Sequence, residues 1–409
     1  MVCYDVVVAG GGVAGVMAAI SAARNGANTL LLERSGCLGG MWTAGLLGYT
    51  IDFYNKPGLL REFIGRLERE VKNGAVIYEA EKYILEDMCM QAGVHVLYHS
   101  TICACQTENR KIISLDYISK SGLRTIYPSL VIDATGDGDV AFMAGCGYDF
   151  GRAEDGMTQP MSMIAVVTGL EENEIRQYIS YPRSEFWEAR QNVLNLFKSI
   201  GAEFSIGCPS FQKITDTLYY LTVNHEYKKR ADSEEDITAA TIHARAEINK
   251  LVKTLREKGG PAFRNISLAV TPEMIGVREG RRIHGMYTIS LEDVLTGRQH
   301  EDAVCLVTYW VDIHNLLPNG GQGYENTGID AKPYHIPFRS LLPKDCDNLL
   351  LAGRSISGDF YAHASYRVAG NMAAVGEAAG MMAAIAAQKK VDIKTLRYQD
   401  YRVLPVSDR

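Results

Sequence analysis

The chain has 409 residues, 47% hydrophobic and 22% charged, with a formal net charge of −6. That composition is globular with room for more than one core, and its mild acidity without a Lys/Arg block argues against a nucleic-acid binder. The nine cysteines form no CxxC, which reads as free thiols in a reducing, cytoplasmic setting without a structural metal site.

The run from Val6 to Ala23 carries no charge and approaches the length of a membrane span. Only Asp5 precedes it closely, and glycines interrupt it, so neither a signal nor a span is expected. Tyr4–Val8 reads instead as a buried β-strand. It enters Gly10-Gly11-Gly12-Val13-Ala14-Gly15, a G-x-G-x-x-G at Gly10, Gly12 and Gly15. Helix-favouring residues follow to Arg24, Gly26 suits a C-terminal cap, and Thr29–Leu32 is a second strand ending at Glu33. This is a βαβ unit that binds a dinucleotide. Gly10 permits the tight turn, Gly12 lets backbone approach a pyrophosphate, and Gly15 lets helix and strand pack closely. The helix start supplies free N–H groups and a positive dipole end. Glu33 accepts hydrogen bonds from a ribose diol and repels a 2′-phosphate. Arg34 follows, and then Gly39-Gly40, a second glycine pair suited to backbone packed against a cofactor.

Further along, Tyr78–Gln91 reads as a helix and Val94–Leu97 as a strand. Thr101–Tyr127 alternates like a small antiparallel meander, with turns at Glu108-Asn109-Arg110 and Ser121-Gly122. Ser129–Asp139 is a buried strand ending in a small-residue turn. From Phe150 the pattern changes: helices over Glu171–Ile179, Glu185–Ile200 and Ile237–Lys258, and a strand over Leu218–Asn224. Asp347–Arg354 is another buried strand, and Gly370–Gly380 a small-residue helix. The expected fold is α/β. A doubly wound, Rossmann-like FAD/NAD(P)-binding domain comprises residues 1–150 and 339–390, and an inserted α+β substrate or cap domain spans 151–338. Residues 391–409 form a polar tail.

Four blocks carry a family resemblance: the βαβ unit with Glu33, the Leu38-Gly39-Gly40 turn, Asp133-Ala134-Thr135-Gly136-Asp137-Gly138, and Leu351–Gly380. With them the chain resembles the FAD-dependent oxidoreductase family of the large glutathione-reductase-like FAD fold, relatives of the succinate dehydrogenase and fumarate reductase flavoproteins. The resemblance implies FAD, with Gly10, Gly12 and Gly15 on the pyrophosphate and Glu33 on the adenosine ribose. It places Gly39 and Gly40 near the flavin and Asp137 close to the pyrophosphate, and Arg34 and Gly353 join these candidates. Fumarate reductases carry a spacing similar to His363-x-x-x-Arg367-x-x-Gly370-Asn371. By that resemblance Arg367 contacts substrate or flavin, with a structural ion pair as the alternative. A guanidinium fork suits a carboxylate. His363 is a candidate general acid/base, or else a structural histidine. The acid that often follows Ala-Gly in those relatives is replaced by Arg354, with Asp359 as the substitute.

Arg278-Glu279-Gly280-Arg281-Arg282 resembles an arginine-rich stretch of the closer family. Three arginines in five positions are costly to bury without anions. They, Arg281 among them, approach substrate or flavin, or else form a solvated face. Arg339 and His335 sit where the chain returns to the FAD domain, a link that lies near the isoalloxazine in the relatives, and by that resemblance both are further catalytic candidates. Cys37 lacks a partner cysteine, which argues against a dithiol mechanism. No histidine lies between Gly36 and Tyr54, so the FAD is expected to be noncovalent. Gly320-Gly321-Gln322-Gly323 lacks the strand–helix context of a nicotinamide site, so the electron donor or acceptor is a separate molecule. The expected reaction is hydride transfer between flavin N5 and a small organic substrate, a carboxylate by the arginines. A geranylgeranyl-reductase- or hydroxylase-like flavoenzyme and a flavin-binding regulatory protein are the alternatives.

Overall fold

The structure is a computed structural model and describes residues 3–180, 186–318, 323–325 and 328–400. Strand β1 (Cys3–Ala9) lies mid-sheet, with Val6, Val7 and Val8 wholly buried. A continuous apolar run is what a parallel strand covered on both faces requires. The chain turns at Gly10, enters α1 (Val13–Arg24), and returns in β2 (Thr29–Leu32), parallel to β1. The charge-free run is therefore a strand plus a helix. Among the described residues no single helix is long and apolar enough to cross a membrane.

Helices α2 (Leu59–Lys72) and α3 (Ile77–Ala92) lead to β3 (His95–Leu97), parallel to β2. The meander is present as β4 (Thr101–Glu108), β5 (Lys111–Ser119) and β6 (Gly122–Asp133). Its first turn holds Asn109 and Arg110 at φ of 49° and 64°, the left-handed pair of a tight hairpin, which asparagine tolerates well. Strand β6 joins two architectures. Its first half pairs antiparallel with β5, and Tyr127–Asp133 runs parallel to β1. Helix α4 (Asp139–Met143) and the short β7 (Tyr148–Asp149) follow.

A second core begins at Met161. It contains β8 (Ile164–Thr168), α5 (Glu172–Ile175), α6 (Phe186–Ser199), β9 (Ser210–Lys213), β10 (Tyr219–Thr222), α7 (Glu234–Lys258) and β11 (Ser267–Val270). The strands form an antiparallel sheet in the order β11-β8-β10-β9. Helix α7 starts three residues earlier than its apolar period suggests. The Ser233 hydroxyl accepts the Asp236 N–H, and Glu234, Glu235 and Asp236 fill the first turn, where the dipole favours acids.

The chain then returns through β12 (Arg282–Ile283), α8 (Leu291–Thr296), β13 (Ala303–Val307) and β14 (Tyr334–Pro337). Buried apolar side chains from Ile283 to Leu342 belong to the first core. The inserted unit, expected over 151–338, thus has a core of its own only from Met161 to Ile275. Strand β15 (Leu349–Leu351) lies parallel to β6 on the side away from β1. Helices α9 (Phe360–Tyr366) and α10 (Ala369–Lys389) close the fold.

Helices α1 and α10 pack with almost no side chain between them. A Cβ on Gly376 would come within 2.0 Å of the Ala14 carbonyl oxygen, and one on Gly380 within 2.0 Å of that of Ala18. Gly376 pairs with Ala14 and Gly380 with Ala18, so the helices run in the same direction. Ala369, the start of α10, precedes Gly376 by seven residues, whereas α1 begins one residue before Ala14. At 1.5 Å rise per residue α10 overhangs the start of α1 by about 9 Å. That overhang sets the layout of the site.

Candidate flavin and substrate site

The first half of the site is a double glycine loop. Gly10 has φ +96°, and a Cβ there would meet the Ala134 carbonyl oxygen at 2.6 Å. A Cβ on Gly15 would strike the Gly10 carbonyl oxygen. Gly39 donates its N–H to the Gly11 carbonyl at 2.8 Å, and a Cβ on Gly40 would lie 2.9 Å from the Gly12 Cα. The two glycine motifs, far apart as patterns, are one packed unit. Gly12 differs from the rest: no protein atom lies within 4 Å of where its Cβ would be. It caps α1 without a side-chain hydrogen bond, and the first turn has no acid. A glycine facing open space beside uncapped N–H groups fits a pyrophosphate. Gly353, with φ +103°, faces the same loop across Ala14.

Glu33 is buried at the end of β2. Its Oε2 accepts the Gly11 N–H at 2.6 Å and its Oε1 the Ser35 N–H at 2.7 Å. It braces the loop from behind, and each oxygen keeps capacity for a second donor such as a ribose hydroxyl. Arg34 is exposed beside Met274 Sδ. Cys37 is buried, with Thr43 Oγ1 3.6 Å from its sulfur.

The β6 loop carries the next charges. Arg354 donates Nη2 to Asp137 Oδ1 at 2.9 Å. Arg281 donates Nη1 to Asp139 Oδ1 at 3.0 Å and to the Asp137 carbonyl, with its guanidinium 4.4 Å over the Phe142 ring. Burial and the neighbouring Asp133 and Asp137 push Asp139 up to about 6. Gly280 is required here, because a Cβ would meet Asp137 Oδ1 at 2.1 Å. Arg282 goes elsewhere: it donates to Glu279 Oε1 at 2.5 Å and to the Gly151 and Gly358 carbonyls, wholly inside the protein. Asp359 caps α9 by accepting the Ala362 N–H at 2.7 Å and also accepts the Leu291 N–H at 2.6 Å. Both its oxygens hold backbone. Arg339 is half-exposed and paired with Asp302 at 2.9 Å, over the Tyr287 ring. Its partners are all different from those of Arg367. His335 Nδ1 accepts the His300 N–H. Of the Gly320–Gly323 run only Gly323 falls within the described residues.

At the overhang of α10 lies the second half of the site. Asn371, in the first turn, is fully buried, and its Nδ2 has no protein partner. His363 is fully buried on α9, edge-on to Tyr366. Burial and the Arg282, Arg367 and Arg354 charges hold it well below the usual histidine range, so it is neutral. Arg367 ends α9. Its Nη2 donates to the Asp312 carbonyl at 3.0 Å, to Asp312 Oδ2 at 3.3 Å and to Gln159 Oε1 at 3.4 Å. Arg278, on the other side, donates to the Pro160 carbonyl at 2.6 Å. Burial and the Arg367 charge lower Arg278 to about 10. Asp312 pairs with Arg367 and feels the Arg278 charge: His314, Arg367 and Arg278 outweigh its burial and hold it at about 2. Polar atoms without a partner collect here: Arg367 Nε, Gln159 Nε2 and Asp312 Oδ1. Tyr49, Tyr309 and Tyr324 border the cluster, each lifted by burial, so all are neutral phenols at pH 7.

Asp312, His314, His225 and Gln159 were not singled out by the sequence. One signal existed: in Trp310-Val311-Asp312-Ile313-His314 the apolar residues are buried at every second position, which turns Trp310, Asp312 and His314 to one side of an extended segment.

The doubly wound sheet, the double glycine loop and a buried cationic cluster beyond it define a flavin-dinucleotide oxidoreductase. The chain belongs to the FAD dependent oxidoreductase family, whose profile matches residues 5–404, and FAD is its cofactor. No curated protein matches the sequence. Among solved structures it is similar to CabE, an aromatic hydroxylase from angucycline biosynthesis, with TM-score 0.50 and 15% identity over 97% of this chain and 65% of that one. It is similar to BexE, studied for oxidation during BE-7585A biosynthesis, with TM-score 0.50 and 14% identity over 94% and 63%. The myxobacterial chondrochloren halogenase CndH follows at TM-score 0.49 and 12% identity over 94% and 73%. The chain spans somewhat less than two thirds of CabE and BexE, and these likenesses concern the fold.

Proposed function

We propose that the protein transfers hydride between the N5 atom of noncovalently bound FAD and a small organic anion held by Arg278 and Arg367. The observation that carries this reading is the pair of guanidiniums, close enough that the Arg367 charge lowers Arg278, around one carboxylate, Asp312, to which Arg367 alone of the two is hydrogen-bonded. Two partly buried cations and one anion leave a net positive charge, which is costly unless a ligand completes it. Arg367 Nε and Gln159 Nε2 are donors without acceptors in the same place, the complement of a carboxylate.

Bound FAD supplies the two-electron chemistry. Gly10, Gly12, Gly15, Gly39, Gly40 and Glu33 would hold its adenosine diphosphate half, with Arg354 and Arg281 fixing the Asp137 loop alongside. Asn371 Nδ2 and the uncapped start of α10 would donate to its ring system. Arg278 and Arg367 orient the substrate carboxylate and stabilise charge on it. The three tyrosines and α9 keep water from it. This assigns Arg367 and Arg278 to the substrate, and leaves Arg339 and Asp359 in structural work.

The test is anaerobic bleaching of the flavin absorbance by a panel of small carboxylic acids. The wild-type holoprotein is expected to be bleached by at least one. Arg367→Ala is expected to keep its FAD and to be bleached roughly 10- to 100-fold more slowly, the loss of one charge-assisted hydrogen-bonding group. Equal rates in the two proteins would remove Arg367 from the substrate.

A further inference from the structure

A chain of three side chains, His314, His225 and Tyr227, leads away from Asp312, and its hydrogen-bond directions can be read. Tyr227 donates its O–H to the Ser205 carbonyl at 3.1 Å. Its oxygen therefore accepts from His225 Nδ1, 3.2 Å away. That places the His225 hydrogen on Nδ1 and leaves its Nε2 an acceptor, since burial and the Arg278 charge keep His225 neutral. His314 Nδ1 lies 3.1 Å from that Nε2 and must donate to it. The remaining ring atom, His314 Nε2, faces Asp312 Oδ2 at 3.6 Å, too far for a hydrogen bond. With His314 neutral, both of these atoms are acceptors. The gap between them is the place of one missing proton.

We propose that His314 Nε2, across from Asp312, holds the proton that accompanies hydride transfer, and that it takes this proton up when an organic anion binds at Arg278 and Arg367. The inference rests on the reading above that these arginines bind an anion. His225 and Tyr227 are positioning residues that fix the tautomer. In substrate reduction, with the bound flavin supplying the hydride, that hydride would add to one atom of a C=C or C=O bond of the anion. The π electron pair so released takes the proton from His314 Nε2, which returns to the neutral imidazole. The bond broken is the N–H at Nε2 and the bond formed is the new O–H or C–H of the product.

The coupling follows from the charges that face His314. Burial, Arg278 and Arg367 push it down to about 4, against Asp312, which raises it. Tyr324, whose ring centre is 4.7 Å from that of His314, is a neutral phenol, and His225 is neutral. An anion between the two guanidiniums offsets the charges that oppose protonation, so the imidazolium becomes the favoured form.

The experiment uses holoprotein labelled with ¹⁵N-histidine and benzoate as the anion probe. Proton–nitrogen correlation spectra report the protonation of each ring nitrogen, and His314→Gln assigns the signal, with His314→Asn as a second variant. Without benzoate at pH 6, His314 is expected to be neutral with its hydrogen on Nδ1. Saturating benzoate is expected to raise its titration midpoint above pH 6, so that Nε2 carries hydrogen there. Calorimetry in buffers of different ionisation enthalpy is expected to show uptake of up to one proton per site in the wild type and none in His314→Gln. If benzoate binds, and binds more weakly in Arg367→Lys, yet Nε2 stays bare and no proton is taken up, the inference fails while the anion site stands. If benzoate does not bind, or binds with no dependence on Arg367, both fail.

Discussion

Arg278, Arg281 and Arg282 are neighbours in sequence and go to three places in the structure. Arg278 faces Arg367 and Asp312, Arg281 clasps the β6 loop, and Arg282 is locked to Glu279 inside the core. The motif was legible in the sequence, but this division was not. Which arginine meets which anion depends on residues more than a hundred positions away, such as Asp139 and Gly151. Removing one partner of a buried pair strands the other charge, so Arg282→Ala is expected to lower stability by about 3–5 kcal/mol. Thermal unfolding of the variant, with and without added FAD, measures this. At the same scale His314 predicts an acid limb. Its pKa falls from 6.5 to about 4 on folding. Between these values the unfolded chain binds more protons, so stability is lost as pH falls through the window, by about 2–3 kcal/mol at most near its lower end. Asp312, held at about 2, adds a second loss below its ordinary range. Asp139, raised to about 6, acts in the opposite sense, so the His314 share is read from the variant. Urea unfolding of the apoprotein between pH 7 and 4.5 is expected to be flatter in His314→Gln than in wild type.

Helix α1 and helix α10 were both legible, because small residues at helical spacing leave one reading. Their overhang was not, since it depends on which glycine meets which alanine. The contrast between Gly12 and Gly376 tests the element-level reading. Gly12 has an ordinary φ of −69° and open space above it, while Gly376 sits against the backbone of α1. Gly12→Ala is therefore expected to leave apoprotein stability within about 0.5 kcal/mol of wild type and to weaken FAD binding about tenfold or more by filling the cradle. Gly376→Ala is expected to cost about 1–3 kcal/mol of stability by forcing the helices apart, with FAD lost as a consequence. Urea titration of the two apoproteins, followed by FAD titration, separates the cases. Equal effects of both substitutions would mean that the space above Gly12 is not the cofactor's.

Across the whole molecule, the two chain ends build one doubly wound sheet around an inserted unit with its own core. The ends were legible from strands such as Val6–Val8 and Leu349–Leu351, whose apolar runs are continuous. The substrate half was legible only at Arg367 and within the arginine cluster. Asp312 and His314 share one segment, whose alternation is visible, but Gln159, Arg278 and Arg367 come from three others, and no local pattern announces that meeting. FAD bound to the folded chain alone is expected to stabilise it by about 4 kcal/mol at a thousandfold excess over Kd, seen as a rise in Tm on reconstitution.

The most direct test of the central claim is the flavin difference spectrum of the holoprotein titrated with benzoate, compared in wild type and Arg367→Ala. A saturable perturbation of the flavin band in wild type, lost in a variant that retains its FAD, is the predicted result. A perturbation of equal size and midpoint in both proteins would contradict the claim that Arg278 and Arg367 hold an organic anion beside the flavin.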